Sequence, residues 1–325
     1  MTNRAQILEN TSKKNELPFF DFNLQGPLVE TPLRYAGGKS KAYHIITHHI
    51  LSLPKIKRII SPFLGGGSLE SKWASAHSIE VIGYDIFYPL INFWQQLLYH
   101  PDELYKKLIT LSPDKENYYK IKEILICWDK TQEMMAGWHT NYYKRKPIKL
   151  DAITAAAYYF YNHNLSYGPM YLGWISKIYQ NKNKWLSMAQ KIKKYKNPIL
   201  QAKIGDFEQV IANYNKDCLY LDPPYYLEKD NDNKMFKGIY PNANFDIHHT
   251  GFNHEKLRDL LYHHNGPFVL SYNNCETIRK YYADFDMYFP EWHYSYALGE
   301  TRIGKNKIKK GNTPKESHEI LIVKM

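Results

Sequence analysis

The chain has 325 residues, of which 29 are Tyr, and its ordinary apolar content excludes a disordered protein and allows one substantial core, with or without a smaller module. Lys and Arg number 43 against 32 Asp and Glu, a surplus of 11 that points to a polyanionic partner, most simply nucleic acid. Only Cys127, Cys218 and Cys275 are present, which excludes a disulfide framework and a cysteine zinc site.

Residues 1–30 are polar and weakly patterned and read as a poorly ordered N-terminal arm. Leu33–Lys41, "LRYAGGKSK", has the ending of a triphosphate-binding loop. That loop needs a glycine five positions before Gly38, where Leu33 stands, and no apolar strand leads into it. What remains is a Gly37-Gly38 turn with Lys39 behind it, opening an amphipathic helix, either an ordinary helix start or a close approach to a ligand. From Lys57 the pattern is a short strand "RII", the turn "SPFLGGGS", a helix through Ala76, and a second strand "IEVIGYDI" that delivers Asp85 near its end. From Pro89 to about Lys196 the sequence is helical, aromatic and lysine-rich, with basic clusters "NYYKRKPIK" and "KIKKYK". Strand signals return at "ILQAKIGDF", "DCLYLDPPY", "PFVLSYNN" and "SHEILIVK". Residues 301–315, before the last of these, carry Arg302, Lys305, Lys307, Lys309, Lys310 and Lys315 without an acid. The predicted layout is an open α/β sheet split by a helical insertion of roughly one hundred residues, longer than an ordinary crossover.

Two constellations carry chemistry. Gly65-Gly66-Gly67 follows a strand, and Asp85 lies twenty positions after Gly65. That is about the spacing at which nucleoside-binding α/β folds place an acid on ribose hydroxyls, although the full G-x-G-x-x-G is absent. In "LYLDPPYY", an apolar strand presents Asp222 at its carboxyl end, Pro223 and Pro224 stiffen the turn, and Tyr225 offers a flat face. Two acceptors, the Asp222 carboxylate and the Pro223 carbonyl, beside an aromatic plate suit an exocyclic amino group on a planar base. The pairs His48-His49, His248-His249 and His263-His264 are adjacent and diverge along any helix or strand, so no metal site is expected. No run reaches the ~18 apolar residues of a membrane helix. The N-terminus lacks a signal-peptide core, so an intracellular location is expected.

The segments "RYAGGKSK", "SPFLGGGSLE", "GYDIFYPLINFW", "GDFEQVI", "LYLDPPYY", "FNHEKLRDLL", "PFVLSYNN" and "SHEILIVK" follow the order seen in Dam-like (α-class) DNA adenine-N6 methyltransferases, and the chain resembles that family from about Pro32 to Lys324. The resemblance implies a Rossmann-like mixed open sheet of a class I methyltransferase with a helical target-recognition insertion. It implies a catalytic domain at 31–95 plus 197–325 and a DNA-binding domain at 96–196. S-adenosylmethionine is the implied cofactor, S-adenosylhomocysteine its product, and no metal is required. The implied cofactor residues are Tyr35, Gly37, Gly38, Lys39, Phe63, Gly65, Gly66, Gly67, Asp85, Ile86, Asp206, Phe207 and Asp222. Asp222-Pro223-Pro224-Tyr225 match the catalytic tetrapeptide. The implied partner is double-stranded DNA, with a cognate restriction endonuclease acting separately and the chain itself a monomer or weak dimer. Lys144, Arg145, His163, Asn164, Ser166, Tyr167, Tyr171, Arg302, Lys305 and Lys307 are the candidate DNA contacts. The chain departs from the family pattern at Ser61, where an acid usually opens "EPFxGGG", and at His163 and Tyr167, where an arginine and an asparagine are usual. Cytosine N4, an RNA adenine, and a decayed DNA-binding module are the competing readings. A glutamine side chain usually goes with Asn rather than Asp before Pro-Pro-Tyr.

Overall fold

Strands β1 (Arg58–Ser61), β2 (Glu80–Asp85), β3 (Leu200–Ile204), β4 (Cys218–Leu221), β5 (Phe268–Asn273), β6 (Asp286–Tyr288) and β7 (Glu319–Lys324) form one sheet in the order β3-β2-β1-β4-β5-β7-β6. Neighbours from β3 to β5 pair in parallel, and β7 runs antiparallel to both β5 and β6. This computed structural model describes residues 24–35, 37–53, 56–138, 145–168, 170–177, 180–226, 252–290 and 319–325. Every residue of β4 and β5 is buried, as expected of central strands covered on both faces. β6 is the one strand here that the sequence pattern did not announce: it is three residues long and mostly exposed, too short for any periodicity.

The helices are α1 (Tyr43–Ser52), α2 (Glu70–Ala76), α3 (Tyr88–Tyr99), α4 (Pro101–Ile109), α5 (Lys115–Cys127), α6 (Asp129–Trp138), α7 (Ala152–Leu165), α8 (Lys182–Lys194), α9 (Phe207–Asn213), α10 (His254–His263) and α11 (Glu276–Tyr281). Local chemistry sets many of their starts. Asp114, Asp151, Asn181, Asp206 and Asn253 each accept a backbone N–H of the first turn of α5, α7, α8, α9 and α10. α3 and α4 instead carry a proline at the start, where the missing N–H costs nothing.

One apolar cluster joins the first face of the sheet to α1, α2 and α3 and continues through α4, α7 and α8. Phe93 of α3 stacks on Phe160 of α7 with ring centroids 5.4 Å apart, so the helical segment 101–194 is built onto the sheet through α3. A second cluster on the opposite face gathers α9, α10 and α11. Of the expected N-terminal arm, residues 1–23 lie outside the described residues; beyond them Gln25 donates to the Ala76 carbonyl at 2.7 Å, and Glu30 pairs with Lys72 at 3.0 Å, along α2.

β1 lies at the centre of the five parallel strands, with β2 and β3 on one side and β4 and β5 on the other. The strand order therefore reverses at β1, and the crevice outside the carboxyl ends of β1 and β4 is where such sheets bind ligands. Ile59 and Ile60 of β1 pair with Cys218 and Leu219 of β4, which sets the glycine turn after β1 beside the turn after β4.

Candidate active site

The turn after β1 is shaped by the protein itself. Gly65 and Gly67 have φ of +47° and +57°, a region that disfavours side chains. A Cβ on Gly66 would overlap Cβ of Tyr35, and one on Gly67 would come within 2.6 Å of Trp94. Tyr35 thus lies across the triplet. Gly37, at φ +76°, lets the chain turn back beyond it, so that Lys39 enters the crevice.

Lys39 is 3 % exposed, and its Nζ donates to both carboxylate oxygens of Asp222, at 2.7 and 2.8 Å, and to the Gly37 carbonyl at 3.2 Å. The same ammonium stands 5.0 Å from the Tyr225 ring centroid. Burial raises the Asp222 carboxyl above the ordinary range, and the charge and hydrogen bonds of Lys39 oppose that rise. The side chain keeps 22 % of its surface accessible, so the pair is not sealed inside the protein.

Asp85 ends β2 and braces the glycine turn, accepting Gly65 N–H at 3.0 Å and Phe87 N–H at 2.9 Å. Although partly accessible, it is surrounded by protein, and that burial lifts its carboxyl to about 6. Ile86, next along, is exposed. Asp206 caps α9 through Glu208 N–H at 2.8 Å. Beside it Phe63, Phe207 and Phe252 form an aromatic group, Phe63 on Phe207 at 5.6 Å and Phe207 on Phe252 at 5.0 Å. The candidate cofactor residues Tyr35, Gly37, Gly38, Lys39, Phe63, the glycine triplet and Asp85 thus gather with Asp206, Phe207 and Asp222 around the strand ends.

The tetrapeptide turn is held from behind. Tyr225 is 3 % exposed and donates its hydroxyl to Glu319 at 2.6 Å, and Asn273 binds both backbone polar groups of Tyr226. Sequence reasoning passed over Asn273 and Glu319; the available signal was a polar residue ending an otherwise apolar strand. It also passed over Glu70. Ser61, standing where the resemblance puts an acid, donates its hydroxyl to Glu70 at 2.8 Å, and burial pushes the Glu70 carboxyl up to about 7. The signal there was a glutamate in the first turn of the next helix.

The candidate DNA contacts divide. Arg145 and Tyr167 are exposed. His163, Asn164, Ser166 and Tyr171 are buried and engaged inside the protein. His163 donates Nε2–H to the Arg34 carbonyl at 2.7 Å and lies between the Tyr35 and Tyr159 rings, with centroids at 5.7 and 5.4 Å. Burial lowers its imidazole to about 4, so the ring is neutral. Asn164 accepts Arg34 N–H at 3.0 Å, Ser166 bonds the His163 and Gly168 carbonyls at 2.8 Å, and Tyr171 meets the Thr131 hydroxyl at 2.7 Å. A short bridge, Ser166 to Ile175, instead presents Tyr167 and Trp174 outward, 59 % and 71 % exposed. Trp174, not singled out from sequence, also carries Lys122 Nζ 5.4 Å from its ring. Lys144, Arg302, Lys305 and Lys307 lie outside the described residues.

A mixed seven-stranded open sheet with one antiparallel strand and flanking helices, its glycine turn and acids gathered at the carboxyl ends, has the α/β fold of a class I methyltransferase. The chain belongs to the family described as D12 class N6 adenine-specific DNA methyltransferase, whose family model matches residues 35–296. It is therefore an enzyme of DNA adenine-N6 methylation. The comparison with curated proteins gives no match.

Proposed function

We propose that the chain transfers a methyl group from S-adenosylmethionine to the N6 amino group of an adenine flipped out of duplex DNA at a short fixed site. The observation that carries this reading is the Lys39–Asp222 pair beside the glycine turn, with the acid partly accessible and held by the buried ammonium. The donor set suits the cofactor. Asp85 is an acid at a strand end for ribose hydroxyls, Phe63 and Phe207 give flat faces beside Asp206 for an adenine, and Tyr35 closes over the glycines. When bound, the cofactor supplies a sulfonium-activated methyl group.

The residues of the chain do the alignment and charge placement. An adenine amino lone pair is conjugated into its ring and poorly nucleophilic. Asp222 and the Pro223 carbonyl would accept its two hydrogens, which favours a more pyramidal, more reactive nitrogen. A carboxylate has lone pairs to spare beyond those given to Lys39, so the pair need not open. As nitrogen bonds carbon, one N–H proton must leave, and Asp222, raised by burial, is placed to take it. A base inside a duplex cannot enter such a crevice, which is the argument for extrusion at a few kcal/mol of unstacking. Tyr225 would stack on the base once its buried face is uncovered.

In this reading 31–95 with 197–325 is the catalytic part and 96–196 reads DNA, with Arg145 on phosphates and Tyr167 and Trp174 meeting bases or the gap they leave. A separately acting restriction endonuclease, a monomeric or weakly dimeric state and an intracellular setting belong to the same proposal. Among the described residues no helix is long and apolar enough to cross a membrane.

The test is incubation with tritiated S-adenosylmethionine and unmethylated DNA, digestion to nucleosides and identification of the labelled one. Label in N6-methyladenine is expected; label in N4-methylcytosine, or only in RNA supplied in a parallel incubation, selects another substrate, and none in either selects a binding module. Asp222→Ala is expected to bind DNA and transfer no methyl, and retained transfer would remove Asp222 from its role.

A further inference from the structure

Beyond β4 the chain leaves the sheet, and the last parallel pair is Leu221 with Leu270. The turn that follows is poor in means of fixing itself, because Pro223 and Pro224 have no N–H. After the N–H of Asp222, its next backbone donors are those of Tyr225 and Tyr226. Asn273 at the end of β5 accepts the Tyr226 N–H with Oδ1 at 2.9 Å and returns Nδ2–H to the Tyr226 carbonyl at 2.8 Å. One amide side chain thereby imitates a neighbouring strand and continues the β4–β5 ladder past its end. Glu319, the first residue of β7, is the registered partner of Asn273 across the antiparallel β5–β7 pair. It accepts a hydrogen bond from the Tyr225 hydroxyl at 2.6 Å and is itself only 3 % exposed.

We propose that Asn273 and Glu319 form a two-point latch that positions the turn Asp222–Tyr226, Asn273 through the Tyr226 backbone and Glu319 through the Tyr225 hydroxyl. The proposal rests on the reading of that turn as the methyl-accepting base's seat. Two groups of the turn have to keep a fixed relation, the Asp222 carboxylate and the Tyr225 ring, and both already face the Lys39 ammonium. Lys39 over the ring and Tyr272 beside it pack its body, whereas a bond at the hydroxyl fixes its polar tip. A phenylalanine and an apolar partner would fill the same space without burying a carboxylate, a costly group to desolvate. Positional register is what the polar pair adds. Misplacement on the order of 1 Å is enough to slow an aligned transfer substantially.

The variants are Tyr225→Phe, Glu319→Ala, Glu319→Gln, Asn273→Ala and the double variant Tyr225→Phe/Glu319→Ala. Two measurements are made on the full chain: single-turnover transfer from tritiated S-adenosylmethionine to unmethylated DNA, and hydrogen exchange of the peptide containing residues 218–226. Tyr225→Phe and Glu319→Ala are each expected to slow turnover about tenfold with the KM for the cofactor unchanged. The double variant should be no slower than either single one, and Glu319→Gln, which keeps an acceptor, should recover most of the loss. Asn273→Ala should speed exchange in the 218–226 peptide. A purely structural pair predicts lower melting temperature with unaltered turnover of the folded enzyme, and that result overturns the proposal, as do additive rate losses or unchanged exchange. Should the wild-type chain label no adenine, the functional reading fails by itself, and the exchange measurement still decides whether the latch holds the turn.

Discussion

Lys39 is the residue whose meaning changed most between sequence and structure. In "LRYAGGKSK" it stands where a phosphate-gripping lysine would, yet its ammonium is spent on Asp222, 183 residues away. The sequence could place both residues near a crevice because each follows a turn or strand end; it could not show that they meet. The pairing has a measurable consequence. Asp222 must be deprotonated to accept hydrogens, so transfer should rise with pH through its titration. Burial raises that carboxyl and Lys39 holds it down, so Lys39→Met is expected to move the rising limb to higher pH. A single-turnover pH profile of both proteins checks it, and an unmoved limb would detach Lys39 from the charge of Asp222. Glu70 gives a stability test of the same kind. Its folded carboxyl titrates near 7 against 4.5 for an ordinary glutamate, so the folded state binds more protons between those values. The contribution of this group to stability therefore falls as pH rises through that window and levels off above it, by about 3 kcal/mol. Glu70→Gln should remove that contribution, read as the pH-dependent difference between variant and wild type in denaturant titrations at pH 5, 6, 7 and 8.

At the scale of elements, the parts with a strong period or a terminal signal were legible. The β1–turn–α2–β2 unit, the four later strands and the Asp222 turn fall where alternation, apolar runs and prolines place them. What escaped was decided by tertiary contact. β6 is held by pairing with β7 and has no pattern of its own. In α7, ten of the fourteen residues are buried, including the polar Asn162, His163 and Asn164, so an expected DNA-reading segment is the side wall that supports Tyr35. A histidine can fill that wall where an arginine would bring a charge, because its ring is neutral and stacks on both sides. The outward chemistry of this region passes to the bridge that follows. Trp174→Ala is expected to weaken DNA binding about tenfold or more, the scale of one stacked base, while the melting temperature stays within a degree or two, as for a surface change. Fluorescence anisotropy with labelled duplex and a thermal melt separate the two; unchanged affinity would free the bridge of any DNA role.

For the whole molecule, the formal charge of +11 is a property of the sequence alone and needs no fold to predict its effect. Lysines that neutralise phosphates release counterions, so the logarithm of DNA affinity should fall with the logarithm of salt at a slope of about −3 or steeper, which corresponds to at least three or four phosphates. A slope near zero would mean that the surplus is ordinary solvated surface. The fold class was readable because an open parallel sheet announces itself as apolar strands alternating with helices. The strand order was not, since no local pattern records that β7 inserts between β5 and β6.

The contact between Tyr35 and Gly66 bears on how such chains age. A side chain at position 66 is excluded by Tyr35 itself, since even the first carbon of the residue at 35 occupies the space. A descendant that had lost its cofactor and its activity would remain under the same internal pressure to keep glycine there. The triplet is thus a record of folding, retained with or without catalysis, and a lineage that drifted away from methyl transfer would show it first at Asp222 and Lys39.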